Sequence, residues 1–133
     1  MSEENVEIVR RFTDASNRRD LTAFWSLCDP DIEIESDRVL IGTPTYRGQA
    51  GIERWFRDMA AAWEEFRTEV LEIVAVGKNG VVFIGRGSGR GKTTGAPVAA
   101  DAAVFIGLAD GKVAHVEFFA TKEEALEAAG LSE

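Results

Sequence analysis

The sequence predicts an α+β domain: a curved antiparallel sheet wrapped around N-terminal helices, with a short C-terminal helix. Three observations carry this. Two helical patterns open the chain, and a third follows one short strand. From Phe66 onward the apolar period changes from 3.6 residues to 2. The strands that follow are joined by turn sequences that include Asn-Gly and Asp-Gly, the strongest short-range hairpin signals. Helices first and hairpin-linked strands afterwards give a segregated plan, not an alternating one.

The first helix shows Val6, Val9 and Phe12 at three-residue spacing, widened by Ile8 and Ala15, with Glu3 and Glu4 suited to its first turn. Asp20 is placed to cap a second helix, whose Leu21, Phe24, Trp25 and Cys28 follow i, i+3, i+4, i+7. Pro30 ends it, because the residue before a proline is pushed out of the α region. Ile32 and Ile34 alternate with Glu33 and Glu35 as a short strand. Residues 42–51 read as a Gly-, Thr- and Pro-rich loop around Tyr46. The clearest helix follows, with Ile52, Trp55, Phe56, Met59, Ala60 and Trp63 on one stripe. Strands are expected at about 67–76, 80–91, 97–108 and 112–120. Thr121 and Glu124 form a capping box for a last helix that ends before Gly130.

At 133 residues the chain is expected to fold as one domain, residues 1–133, and to bury enough surface to need no metal or disulfide staple. Its net charge of −8 repels phosphate backbones and anionic lipid, so neither nucleic acid nor a membrane surface is an expected partner. One cysteine, Cys28, makes no internal disulfide, and with His115 as the sole histidine no Cys/His metal cage can be built. No metal and no cofactor is expected. The acidic, amphipathic N-terminus is unlike a signal peptide and no apolar run approaches ~20 residues, so a cytoplasmic location is expected.

The run Gly85 to Thr93 looks like a phosphate-binding loop, but the Walker spacing requires glycine where Arg86 stands. Its glycines recur every second residue. They therefore share one face of a strand and mark a bend, while Arg86, Ser88, Arg90 and Lys92 face the other way. His115 is a candidate general base oriented by Glu117, and Asp101 a candidate buried acid among alanines, although a half-exposed strand histidine and an outward-facing aspartate are the simpler readings. Glu33 and Glu35 read more simply as a solvated face. The aromatics are numerous enough both to fill a core and to line an apolar cavity, for which Trp25, Tyr46, Trp55, Met59 and Trp63 are the candidates.

The chain resembles the nuclear transport factor 2-like superfamily, in its SnoaL-like polyketide cyclase and ketosteroid isomerase-like branch. The residues that carry the resemblance are Asp29-Pro30-Asp31-Ile32-Glu33, Tyr46-Arg47-Gly48, Gly51-Ile52-Glu53-Arg54-Trp55-Phe56, Ala62-Trp63-Glu64-Glu65-Phe66 and Asp110-Gly111-Lys112-Val113, with the terminal helix from Lys122 to Leu131. It implies a cone-shaped sheet with a deep apolar pocket, and a homodimer. It also implies that the cyclase acid/base positions fall on Val104, Val116 and Phe118, all apolar here, with His115 and Glu117 facing outward.

Two functions follow as expectations. One is a SnoaL-like protein that binds a small hydrophobic molecule in a pocket lined by Trp25, Tyr46, Trp55, Met59, Trp63, Val104, Val116 and Phe118. The other is an enzyme of the same fold, an isomerase, cyclase or hydratase for a small apolar ketone-type substrate, acting through Asp101 or Tyr46. A weaker third is a partner-binding module using the outer sheet face. A homodimer is expected through that face, built from Val113, His115, Glu117 and Phe119 beside Asp101, Ala103 and Phe105.

Overall fold

The computed structural model describes residues 2–35 and 45–132. Helices α1 (Ser2–Asn17) and α2 (Leu21–Ser26) lead into strand β1 (Cys28–Glu35). Strand β2 (Tyr46–Arg47) and helix α3 (Gly48–Ala62) come next. The long strands β3 (Trp63–Val76), β4 (Gly80–Gly91), β5 (Pro97–Ala109) and β6 (Lys112–Phe119) precede helix α4 (Lys122–Ser132). All six strands form one sheet in the order β2-β1-β6-β5-β4-β3. Every pairing is antiparallel except β1 with β6, which is parallel because α3 and the meander separate them in sequence.

Several boundaries differ from the sequence reading, each for a local reason. Within the expected loop at 42–51, residues 42–44 lie outside the described residues. The rest is ordered: Tyr46 and Arg47 pair with Ile34 and Glu33, and α3 begins at Gly48. Gly48 takes φ +63°, and a Cβ on Gly51 would stand 2.9 Å from the Tyr46 carbonyl carbon. These glycines therefore let the helix start directly against the strand. Trp63 is extended and begins β3, although its N–H still bonds the Met59 carbonyl. Cys28 belongs to β1, because the Leu27 carbonyl accepts from Val113 N–H at 2.8 Å and Cys28 pairs with Val113. Helix α4 continues through Gly130 to Ser132. The expected caps are present: Asp20 Oδ1 accepts from Ala23 N–H at 3.0 Å, and Thr121 Oγ1 from Glu124 N–H at 3.2 Å.

The two faces of the sheet bury separate clusters. On the inner face Val81, Phe83, Val104, Ile106 and Val116 meet Val9, Phe12, Phe24 and Ile52 of the first three helices. On the outer face Val82, Ala103, Phe105 and Phe119 lie under Ala125 and Ala129 of α4, whose small side chains allow close approach. Fully burying one such large apolar side chain is worth roughly 1.5–3 kcal/mol. Asparagines at both ends of α1 fix it to the sheet. Asn5 Nδ2 donates to the Lys78 carbonyl at 2.7 Å, while Asn17 exchanges two 2.8 Å bonds with the Thr68 backbone.

Bulges set the curvature. The β3–β4 register shifts between Glu64 and Arg67 and again between Val70 and Glu72, with Glu65 at φ +54°. Extra residues on one strand bend it and increase its twist. A further shift in β5–β6 puts both Val113 and Val116 on the inner face, with His115 outside. This corrects the expected outer surface: Val113 points inward, and Ala103, Phe105 and Phe119 are already covered by α4. The part of that surface left open carries Asp101, His115 and Glu117.

Candidate functional site

Helices α1, α2 and α3 stand over the inner face and leave a cavity of about 350 Å³ against it. This lies within the range of small-molecule sites, which run roughly 300–1,000 Å³. Its walls are aromatic and aliphatic. Phe12 and Phe24 stack at 4.1 Å, Phe24 meets the edge of Phe56 at 5.0 Å, and Trp55 stacks on Phe118 at 6.1 Å. Alternation along β5 turns Val98, Ala100, Ala102, Val104 and Ile106 toward the space. The glycine row of β4 forms part of the floor. A Cβ on Gly87 would stand 2.9 Å from Phe66 Cζ, and one on Gly89 3.2 Å from Phe66 Cα. The missing side chains make room for the Phe66 ring, which lies across the strand beside Trp63.

Of the residues expected in the pocket, Trp55, Met59, Trp63, Val104, Val116 and Phe118 lie on the cavity wall. Trp25 and Tyr46 do not. Trp25 packs on the core from α2. Tyr46 is buried behind Trp55, its ring edge-on at 5.2 Å, and its hydroxyl donates to Asp58 Oδ2 at 2.6 Å. Burial, reinforced by the Asp58 carboxylate, pushes its phenol up to about 12. It stays protonated at neutral pH and is aimed at an exposed acid, away from the cavity.

Asp101 lies on the outer face, where Arg86 grips it through two bonds of 2.7 and 3.1 Å. The guanidinium holds its carboxyl below the usual range. The β4–β5 register runs without a break from Gly80–Gly107 to Arg90–Pro97, so no bulge turns Asp101 inward. The candidate acid is thus an exposed ion pair. His115 is also on the outer side, with Nε2 3.3 Å from Glu35 Oε2 and 3.3 Å from Glu117 Oε1. Among the described residues these three are the one group able to offer ligand atoms to a cation, within 4.8 Å of one another. The two carboxylates also contact the imidazole through the same Nε2. Glu33 faces Arg47 at 3.7 Å.

Sequence reasoning missed the polar end of the cavity. Thr13, Ser16, Arg19 and Thr68 lie on the wall. Thr13 and Ser16 continue the Phe12 face of α1 at helical spacing, which is the signal that could have found them, while Arg19 lies in the turn beyond the helix at φ +54°. The Thr13 hydroxyl donates to the Val9 carbonyl at 3.0 Å. Among the described residues no carboxylate, imidazole or thiol lines the cavity. Cys28 is buried elsewhere in the core, and burial pushes its thiol up to about 12.

The model of the SnoaL-like domain family matches residues 9–116. The chain belongs to the SnoaL-like family. No curated protein matches this SnoaL-like sequence significantly. Among solved structures it is similar to an NTF2-like protein from Burkholderia xenovorans, 26% identical with TM-score 0.76 over 97% of each chain. A second NTF2-like protein, from Burkholderia thailandensis, is 26% identical with TM-score 0.77 over 95% of this chain and 96% of its own. TerC, co-crystallised with polyporic acid, shares the fold at 21% identity and TM-score 0.78, over 96% of this chain and 98% of its own. Among the described residues no helix is long and apolar enough to cross a membrane.

Proposed function

We propose that this SnoaL-like chain binds a small hydrophobic molecule in the cavity and transfers no proton to or from it. The observation that carries this reading is the wall itself: about 350 Å³ of largely apolar space with, among the described residues, no carboxylate, imidazole or thiol on it. General acid–base help needs a group within about 3 Å of the reacting atom and is worth typically ~10²–10⁴-fold. Val104, Val116 and Phe118, at the positions where the resemblance puts acid/base residues, cannot supply it. An enzyme acting through Asp101 or Tyr46 is disfavoured, because one faces outward and the other is turned toward Asp58.

The test is a panel of polycyclic and terpenoid compounds, followed by tryptophan emission and thermal melting. A ligand at a hundred times its Kd stabilises by ~2.7 kcal/mol, roughly 8–10 °C for a domain this size. Aldol cyclisation and Δ5-ketosteroid isomerisation are expected to stay at background. If no compound moves either signal, the cavity is not a binding site. Turnover that vanishes in Asp101→Asn would restore the enzyme reading. A homodimer through the outer sheet face would use what α4 leaves open there, around Arg86, Ser88 and Asp101. Light scattering at micromolar concentration reads that directly.

A further inference from the structure

Resting on that binding reading, we infer that the occupant is an amphipathic anion, with an apolar body in the cavity and a carboxylate or similar group held by Arg19. Arg19 is the one charged side chain on the cavity wall among the described residues. Its position is fixed from both sides. One terminal nitrogen donates to the Asn17 carbonyl at 3.3 Å, and the other to the Phe66 carbonyl at 3.0 Å. These bonds tie the guanidinium across the seam between the end of α1 and the start of β3. Two of its five N–H donors are used in this way, and three remain.

No carboxylate answers this charge among the described residues, whereas neighbouring Arg18 is held by Asp14 at 2.8 Å and Asp20 at 3.2 Å. What sets this guanidinium apart from the chain's other basic side chains is its place on the wall of an apolar cavity. Arg19 stands at the exposed edge of the cavity, and a planar fork of donors matches a carboxylate better than any neutral group. Ser16 and Thr68 add hydroxyls to the same wall. They lie close to Arg19, since Asn17 clamps the Thr68 backbone at 2.8 Å. Only one end of the cavity is polar. A neutral hydrocarbon would leave these donors to solvent, while an apolar acid would fill the space and bond them directly.

Arg19 also complements the C-terminal carbonyls of α1, and that role alone would stabilise the helix without selecting a ligand. The experiment separates the two. Calorimetric titration compares 2-naphthoate with methyl 2-naphthoate, which share the ring system and differ in charge, against the native protein, Arg19→Gln and Arg19→Lys. The native protein should prefer the acid by a factor of about three to five, as expected for an ion pair at the exposed edge of a cavity. Arg19→Gln should remove that preference while holding the ester within twofold, and Arg19→Lys, which keeps the charge but not the fork, should retain only part of it. Circular dichroism checks that both variants fold. Ester and acid binding equally to the native protein, or a preference that survives Arg19→Gln, would overturn the inference while leaving the binding reading intact. If neither probe binds the native protein, both readings fall.

Discussion

Gly87→Ala tests the argument that the glycines of β4 exist to seat Phe66. The new Cβ would stand 2.9 Å from Phe66 Cζ and 3.4 Å from its Cε2, both at the far end of the ring. Overpacking of this kind costs ~1–3 kcal/mol. The backbone at Gly87 is not left-handed, so alanine brings no strain of its own and recovers ~0.4–1 kcal/mol from the unfolded chain. The net expectation is a loss of about 1–2 kcal/mol, read as a lower urea midpoint at unchanged slope. Phe66→Leu removes the two ring atoms concerned. In that background Gly87→Ala should be neutral or stabilising by ~0.5 kcal/mol, a coupling of about 2 kcal/mol between the sites. Additive effects, or a stabilising Gly87→Ala in the native background, would show that the ring does not need the space.

Three further outcomes are expected. Tyr46 is the sole tyrosine, so absorbance at 295 nm reports it alone. With its phenol raised from 10 to about 12, stability present below pH 10 should be lost between pH 10 and 12, and a native midpoint near 10 would contradict the burial of the ring and its hydrogen bond to Asp58. The Cys28 thiol, raised to about 12, should react with a disulfide reagent at pH 8 only as fast as the protein opens, and prompt reaction would show it is accessible. Val104→Asp should cost on the order of 2–4 kcal/mol by placing a carboxyl on an apolar wall. It should also introduce pH-dependent ketosteroid isomerisation that the native protein lacks, and native turnover at an equal rate would refute the account of these positions.

The long strands were legible because their turns and period-2 patterns are local. The reading of β4 as 80–91 matches the structure at both ends. The placing of Val104, Val116 and Phe118 on the inner face was what the family resemblance implied, and all three lie on the cavity wall. What escaped was set by contacts between distant segments. The bulge in β6 leaves no mark on the alternation of Val113 and His115, yet it sends them to opposite faces. Apolar periodicity likewise cannot tell Trp55, on the wall, from Tyr46, one layer behind it. Helix α4 on the outer face was invisible to a pattern in which alanines carry little signal. The polar end was missed because Ser16 and Arg19 look like a solvated helix terminus until β3 is brought alongside.

The most direct measurement of the central claim is a fluorescence titration of N-phenyl-1-naphthylamine into the native protein and into Ala102→Trp, whose indole would occupy the cavity from its β5 wall. The account predicts saturable one-to-one binding with a blue-shifted probe in the native protein. In the variant, with its fold verified by circular dichroism, that signal should be lost. Binding undiminished in Ala102→Trp would place the probe elsewhere on the molecule and contradict the claim.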